Sequence, residues 1–201
     1  LIGIIMTFII NPPTAVFNEW LAATLGGMST GSRIALGLIL GGMMSIDFGG
    51  PINKAAYVFG TASLAGASGQ AVSSGIMASV MIGGMVPPIC IALATRIFKN
   101  KFTAKERQSW LTTIIMGFAF ITEGAIPYAA ADPLHVIPSC AIGAAVAGGL
   151  SMLFNCALPA PHGGIFVFGG VTNWPMYLAA LLIGAAVGAV LLGLLKKPAE
   201  E

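Results

Sequence analysis

The chain has 201 residues, of which 57% are hydrophobic and only 8% charged, and its mean hydropathy is +0.92. Soluble domains carry about 25% charged residues, so this composition excludes a water-soluble enzyme and predicts an all-α integral membrane protein. At about 20 residues per spanning helix, the length allows at most about eight or nine crossings, and a net charge of +2 says little in itself.

In chain order, Leu1-Ile-Gly-Ile-Ile-Met-Thr-Phe-Ile-Ile is apolar from its first residue and lacks the charged segment of a signal peptide. It is expected to be the end of a spanning helix, with residues 1–201 forming part of a longer transporter's transmembrane domain. Asn11-Pro-Pro-Thr opens a mixed stretch through Glu19 and Trp20 to Gly31, expected at the interface or in a loop. Residues 33–46 are apolar but short, and they stop at Asp47-Phe-Gly-Gly-Pro-Ile-Asn-Lys54. A short span ending on charge, Gly and Pro is the mark of a discontinuous helix. Gly49 and Gly50 permit a tight turn and Pro51 suits the first turn of a following helix. Residues 55–80 are rich in Ala, Gly and Ser, which allows close helix contact at low hydropathy and leaves the boundaries there open. Met81 to Phe98 reads as an apolar span broken by Pro87-Pro88.

Lys99, Lys101, Lys105 and Arg107 crowd the loop from Lys99 to Gln108, and Lys196 and Lys197 follow the last apolar run. The positive-inside rule puts loop 99–108 and tail 196–201 in the cytoplasm. Topology thus accounts for the basic loop without a nucleic-acid partner. An even number of crossings must lie between these two cytoplasmic points. Leu134 to Phe154 and Met176 to Leu195 supply two, leaving Trp110 to Asp132 as a re-entrant hairpin that turns at Glu123-Gly-Ala-Ile-Pro127. The alternative is two further crossings, one of them Pro159 to Gly170, whose Pro-Ala-Pro-His-Gly-Gly run is too broken for an ordinary span.

Four apolar-flanked places carry the polar chemistry: Asp47 with Asn53 and Lys54, Glu123 with Thr122, Asp132 with His135, and His162. An ionisable group at membrane depth costs roughly 2.5 to 3.5 kcal/mol and usually faces a cavity, a substrate or a partner charge. The Glu123 carboxylate suits the paired hydroxyls of a sugar; a cation would use the same group, and an ion pair locking two helices is the structural alternative. Asn53 and Gly50 sit where a ligand would meet a helix N-terminus, with Lys54 either beside it or snorkelling to the interface. Asp47 is a ligand or a cap for the same turn. His162, in a Gly-rich break, can donate or accept at neutral pH. Asp132 is an N-cap candidate, with His135 structural beside it. Cys90, Cys140 and Cys156 lack metal or disulfide spacing and read as buried packing thiols. With no P-loop, metal cluster or nucleophile triad, no cofactor is expected, and transport must be driven by an ion gradient or by a partner.

Asp47-Phe-Gly-Gly-Pro-Ile-Asn-Lys-Ala-Ala-Tyr, Gly84-Met-Val-Pro-Pro, Phe120-Ile-Thr-Glu-Gly-Ala-Ile-Pro-Tyr-Ala-Ala-Ala-Asp-Pro and Ala160-Pro-His-Gly-Gly, in this order, closely resemble the IIC membrane component of the fructose family of the bacterial phosphotransferase system. The resemblance runs from about Phe17 to Lys197. It implies a permease of the cytoplasmic membrane that binds fructose or a related sugar through Glu123, Thr122, Asn53, Asp47, His162, Gly50 and Lys54. The sugar is presented to a cytoplasmic IIB domain, whose phosphocysteine phosphorylates it, typically at the 1-position of fructose. It further implies a homodimer, an elevator-like motion, and hairpin tips at Gly49 to Lys54 and Thr122 to Pro127. Family members with Arg at the positions of His135 or Ala131 leave other sugars open, including mannosylglycerate-like ones. An ion-driven secondary transporter using Glu123 or Asp47 is the alternative function, and a purely assembling or regulatory chain is a third.

Overall fold

A computed structural model of the chain describes residues 32–64 and 73–199; the expectations for the first 31 residues lie outside them. Eight α-helices follow in order: α1 (Arg33–Met43), α2 (Pro51–Ala62), α3 (Gly75–Ile97), α4 (Ala104–Gln108), α5 (Trp110–Phe118), α6 (Ile126–Ala131), α7 (Pro133–Leu153) and α8 (Trp174–Leu195). Short 3-10 turns lie at Lys99–Lys101, Thr122–Ala125 and Gly164–Gly170. The architecture is all-α: strand-like pairing among the described residues is limited to the bridges Ser74 with Leu158 and Ala157 with Thr172. Among the described residues three helices, α3, α7 and α8, are long and apolar enough to cross a membrane.

The central helix is α3, enclosed by α1, α5, α7 and α8 and buried almost all the way round. It begins at Gly75, six residues before the expected Met81. Ser74 caps it, accepting the Met77 amide at 3.2 Å. The first turns hold small residues packed against neighbouring helices, which weakens the hydropathy signal without weakening the helix. Helix α3 also continues through Pro87 and Pro88. A proline lacks the N–H that would bond the carbonyl four residues earlier, so these two free the carbonyls of Gly83 and Gly84. The Thr122 hydroxyl donates to Gly84 at 3.1 Å, and the Ser45 hydroxyl lies at a longer 3.5 Å from the Gly83 oxygen.

Those two partners belong to two hairpins that enter from opposite ends. Helix α1 breaks at residues 44–50 and α2 returns to its starting end, where the Ser63 and Ser74 hydroxyls meet at 2.6 Å. From the other end, α5 runs inward, turns through Thr122–Ala125, and α6 returns. The Tyr128 hydroxyl then bonds Thr113 at the start of α5 and the Glu106 carbonyl, each at 3.1 Å. The same end gathers the basic segment and the end of α8: Lys101 donates to the Leu194 carbonyl at 3.4 Å and Lys196 meets Asp132 at 3.1 Å. Residues 110–132 therefore form a hairpin whose two ends lie together, leaving α7 and α8 as the long apolar helices between the two basic segments. Pro159 to Gly170 also returns to its own end, where the Thr172 amide donates to Ala157 at 2.8 Å.

The expected basic loop is more ordered than its composition suggests. Thr103 and Glu106 form a reciprocal capping box that starts α4, a pattern present in the sequence as Thr-x-x-Glu. The three cysteines are buried and unbridged, with the Cys90 and Cys140 sulfurs 3.6 Å apart between α3 and α7.

Glycines set the spacing of α1, α7 and α8. A methyl at Gly143 would stand 2.6 Å from the Gly184 carbonyl oxygen, and one at Gly148 would collide with that of Gly37. Gly42, by contrast, has nothing nearer than the Ala145 methyl at 3.6 Å. Gly148→Val is expected to destabilise the protein by about 1 to 3 kcal/mol, read as a lower thermal midpoint in detergent, and Gly42→Ala to be neutral or slightly stabilising. Equal losses from both would mean that close approach is not what these glycines provide. Thr122→Val keeps shape but leaves the Gly84 carbonyl unpaired, an expected loss of about 1 to 3 kcal/mol in the same assay.

Candidate functional site

The two hairpin tips meet beside α3 at Gly83 and Gly84, halfway along it. A methyl at Gly84 would collide with the Phe120 ring and stand 2.9 Å from the Thr122 hydroxyl and 3.0 Å from the Met44 side chain. Glycine here is a notch for both tips. Around it lies a cavity of about 170 Å³ lined by Met44, Asn53, Lys54, Tyr57, Phe120, Thr122, Glu123 and His162. Five of the seven residues singled out in the sequence for the substrate are in that lining. It is smaller than the roughly 300 to 1,000 Å³ of sites for drug-sized ligands, and so suits one small polar solute.

Glu123 reaches the cavity from the second tip and approaches the first so closely that a methyl at Gly49 would stand 2.7 Å from its Oε1. Gly49 also has a φ of +109°, a conformation that favours glycine. Lys54 Nζ lies 3.9 Å from Glu123 Oε1, with both side chains about half exposed. A pair that long and that wet is worth at most about 1 kcal/mol, too little to be the reason for a carboxylate at this depth. Among the described residues, no hydrogen bond holds the Glu123 carboxylate, so its lone pairs remain for a ligand.

Asn53 is buried, and its amide nitrogen donates to the Met44 carbonyl at 2.7 Å, tying the end of α1 to the first turn of α2. Lys54 sits one residue on, with its ammonium 6.0 Å from the Tyr57 ring centre. His162 is carried in by the loop closed at Ala157 and Thr172. Its ring centre is 4.9 Å from that of Phe120 and 6.3 Å from that of Tyr57. Gly164 lets this loop approach: its φ is +56°, and a side chain there would strike the Phe118 carbonyl.

Asp47 and Gly50 stand outside the lining. The Asp47 carboxylate accepts the amides of Ile52 at 2.7 Å and Asn53 at 3.0 Å, capping the start of α2, which is the structural one of the two roles open to it. Gly50 is the N-cap of α2, and a methyl on it would stand 2.6 Å from Asp47 Oδ2. Thr122 lines the cavity, but its hydroxyl is committed to Gly84. Sequence reasoning missed Met44, Tyr57 and Phe120. Tyr57 had a signal, since positions 53, 54 and 57 share one face of a helix; Phe120, at a φ of +63°, had none beyond its place in the motif.

A second cavity of about 850 Å³ lies at the basic end of the bundle and shares one lining residue, Glu123, with this site. Glu123 lines both cavities, at the inner limit of the larger one. Asp132 and His135 lie at the basic end of the larger cavity, with Asp132 Oδ1 2.7 Å from His135 Nδ1. Burial pushes the Asp132 carboxyl up, but the hydrogen bonds and charges of His135 and Lys196 outweigh it and hold its pKa below the usual value. Asp132 is thus the N-cap residue of α7 without a side-chain capping bond; its oxygens serve His135 and Lys196. Among the described residues no group of three His, Cys, Asp or Glu side chains could hold a metal ion.

Comparison with known proteins agrees with the motifs. The chain is 53% identical over 200 residues to the PTS system fructose-specific EIIABC component of Bacillus subtilis, covering 99% of the chain and 31% of that protein. It is 52% identical to the fructose permease IIC component of Bacillus amyloliquefaciens, over 99% of the chain and 64% of the relative. A third relative, the PTS system fructose-specific EIIC component of Haloferax volcanii, is 47% identical over 93% of the chain and 49% of its own length. The chain thus spans between about a third and two thirds of these relatives. No family model matches the chain, and no solved structure does. Motif order, the three long apolar helices and these identities lead to one conclusion: the chain is a membrane protein that belongs to the fructose family of IIC components of the phosphotransferase system.

Proposed function

We propose that this chain is the sugar-translocating part of a fructose permease, binding one sugar at the meeting point of the two hairpin tips and presenting it to a cytoplasmic IIB domain. The observation that carries the reading is the position of Glu123, which borders both the small cavity between the tips and the wide cavity at the basic end. A sugar held there is within reach of a donor arriving from that end. Glu123 accepts hydrogen bonds from sugar hydroxyls, Lys54 donates, and Asn53 and His162 complete the polar contacts. Tyr57 and Phe120 bury the apolar face of the sugar, a favourable use of aromatic area beside polar groups.

Asp47, Gly50 and the Thr122 hydroxyl act one step removed, by fixing the tips that carry Glu123, Asn53 and Lys54. The relatives named EIIABC and EIIB'BC support a IIB partner, and the relatives' printed names support fructose as the sugar. Phosphoryl transfer belongs to that partner, because none of the three cysteines lines either cavity and all are buried. In this reading the chain works in the cytoplasmic membrane as a homodimer, with the 99–108 segment and residues 196–201 on the cytoplasmic side.

Fructose binding to the purified chain in detergent tests the site. Losing a hydrogen bond to a charged group costs about 1.5 to 3 kcal/mol, so Glu123→Gln is expected to weaken binding by roughly tenfold or more. Asp47→Ala removes a helix cap worth about 0.5 to 2 kcal/mol; it is expected to lower the thermal midpoint and to weaken fructose binding less than Glu123→Gln does. Unchanged affinity in Glu123→Gln would remove that residue from the site. Uptake by the reconstituted permease with its IIB domain is expected to persist when ion gradients are dissipated, and uptake that follows a gradient would overturn the coupling.

A further inference from the structure

The basic segment of residues 99–108 has two sides. Lys101, Lys105 and Glu106 line the wide cavity, whereas Lys99 and Arg107 line a neighbouring recess of about 780 Å³ with Asn100, Thr103, Pro198 and Ala199. Among the described residues that line this recess there is no aspartate or glutamate. Arg107 donates to the Lys99 carbonyl at 3.1 Å, so two cations stand together. Three residues before Lys99, at the end of α3, the Arg96 guanidinium carbon lies 4.9 Å from the centre of the Trp110 ring. Among the described residues, none of Arg96, Lys99 and Arg107 forms a salt bridge.

Membrane topology explains why cations collect at this end of the bundle. It does not explain why three of them gather beside a tryptophan and an exposed apolar strip. Ile97 follows Arg96 and Leu111 follows Trp110, and both side chains are exposed. Ile115, one turn further along α5, is exposed as well. These residues lie on the face of α5 turned away from the wide cavity, which is lined instead by Ser109, Thr112, Thr113 and Met116. Since α5 runs inward from the basic end, the strip leads from the cations toward the middle of the membrane. Trp110 stands at the change from charge to apolar surface, the level at which tryptophan is enriched in membrane proteins.

Cations above an apolar strip match a ligand with an anionic head and hydrocarbon chains. A guanidinium stacked on a ring turns its face to that ring and keeps its in-plane N–H donors for another acceptor. Arg107 uses one N–H on the Lys99 carbonyl and keeps the rest of its fork, and Lys99 itself is exposed. We propose that Arg96, Lys99 and Arg107 form a site for the phosphodiester of an anionic phospholipid, with the acyl chains lying along Ile97, Leu111 and Ile115. A zwitterionic lipid would bring its own ammonium into a region that is already positive, so the site favours a head with net negative charge. A lipid seated here ties the end of α3 to the start of α5, the inward arm of the hairpin that carries Glu123, and steadies that arm. The inference needs the membrane setting alone and goes beyond the permease reading.

Titration of the purified chain in detergent with dioleoyl phosphatidylglycerol, dioleoyl phosphatidylcholine and the soluble headgroup glycerophosphoglycerol, at low and high salt, tests the site. Phosphatidylglycerol is expected to bind about tenfold or more tightly than either of the others, and more weakly as salt rises. The triple variant Arg96→Gln, Lys99→Gln, Arg107→Gln is expected to lose that affinity about tenfold or more. Arg96→Lys with Arg107→Lys keeps the charge and is expected to keep most of the affinity, and Lys101→Gln with Lys105→Gln, on the cavity side, to keep all of it. A triple variant that binds phosphatidylglycerol as the parent does would overturn the site. So would an equal loss from the cavity-side pair, which would mean diffuse attraction to a basic end, or from the Arg-to-Lys pair, which would mean a change of fold and not of charge. A soluble headgroup that binds as tightly as the lipid would leave the acyl chains without a role. A triple variant that keeps the lipid and loses affinity for a IIB domain would assign the cations to a protein partner. Fructose enters none of these titrations, so the lipid site and the permease reading fail separately.

Discussion

Two adjacent prolines in the middle of a buried helix determine the rest of this site. Pro87 and Pro88 cannot bond the carbonyls of Gly83 and Gly84, and these lie buried in protein where they need other donors. Thr122 takes the Gly84 carbonyl, and Ser45 approaches that of Gly83. One hairpin tip from each end is thereby drawn to the same level of α3. Glycine at 83 and 84 is the second half of the requirement, because a methyl at Gly83 would stand 2.7 Å from the Gly41 Cα. Without the glycines the tips could not approach, and without the prolines there would be nothing for their hydroxyls to bond.

The breaks in the chain were legible in the sequence, and the physical reason is that Gly, Pro and charge act locally. Asp47-Phe-Gly-Gly-Pro and Glu123-Gly-Ala-Ile-Pro combine several such residues, so both breaks could be read from the residues, whereas the hairpin at residues 110–132 was one of two readings and Pro87-Pro88, expected as a break, is passed by α3 without one. The start of α3 could not, because hydropathy measures side-chain transfer and Gly75 to Val80 are held by close packing. Nor could sequence separate Asp47 from Glu123: both are carboxylates beside glycines. Only the fold shows that one accepts two backbone amides while the other, among the described residues, accepts none. Phe120 was illegible for a similar reason, since its place in the cavity depends on a left-handed backbone residue wedged between α3 and the His162 loop.

The acids of the wide cavity show how environment divides identical chemistry. Asp132 is gripped by a histidine and a nearly buried lysine, and its lowered pKa keeps it ionised over the physiological range. That fixed charge holds the end of α8 against the start of α7 and is not available to a ligand. Glu123 has a single distant lysine and an open side chain. A carboxylate at membrane depth with so little compensation is costly on its own, and under the proposed function that cost is relieved when a sugar in the cavity donates to it. Ligand binding and stability of the tip are therefore linked at Glu123.

The two kinds of contact in this bundle also differ in how they yield. Helices α1, α7 and α8 meet through backbone against backbone, at Gly37 with Gly148 and at Gly143 with Gly184, where any sliding of one helix past another forces overlap. The tips are secured differently, by the Thr122 and Ser45 hydroxyls and by Asn53 on Met44. Single hydrogen bonds have a net worth of about 0.5 to 1.5 kcal/mol each, and water or a sugar hydroxyl can replace them. Low-stability elements are where conformational change is cheapest, so the tips are the part of this structure that can rearrange around a ligand while the glycine-packed helices keep their places.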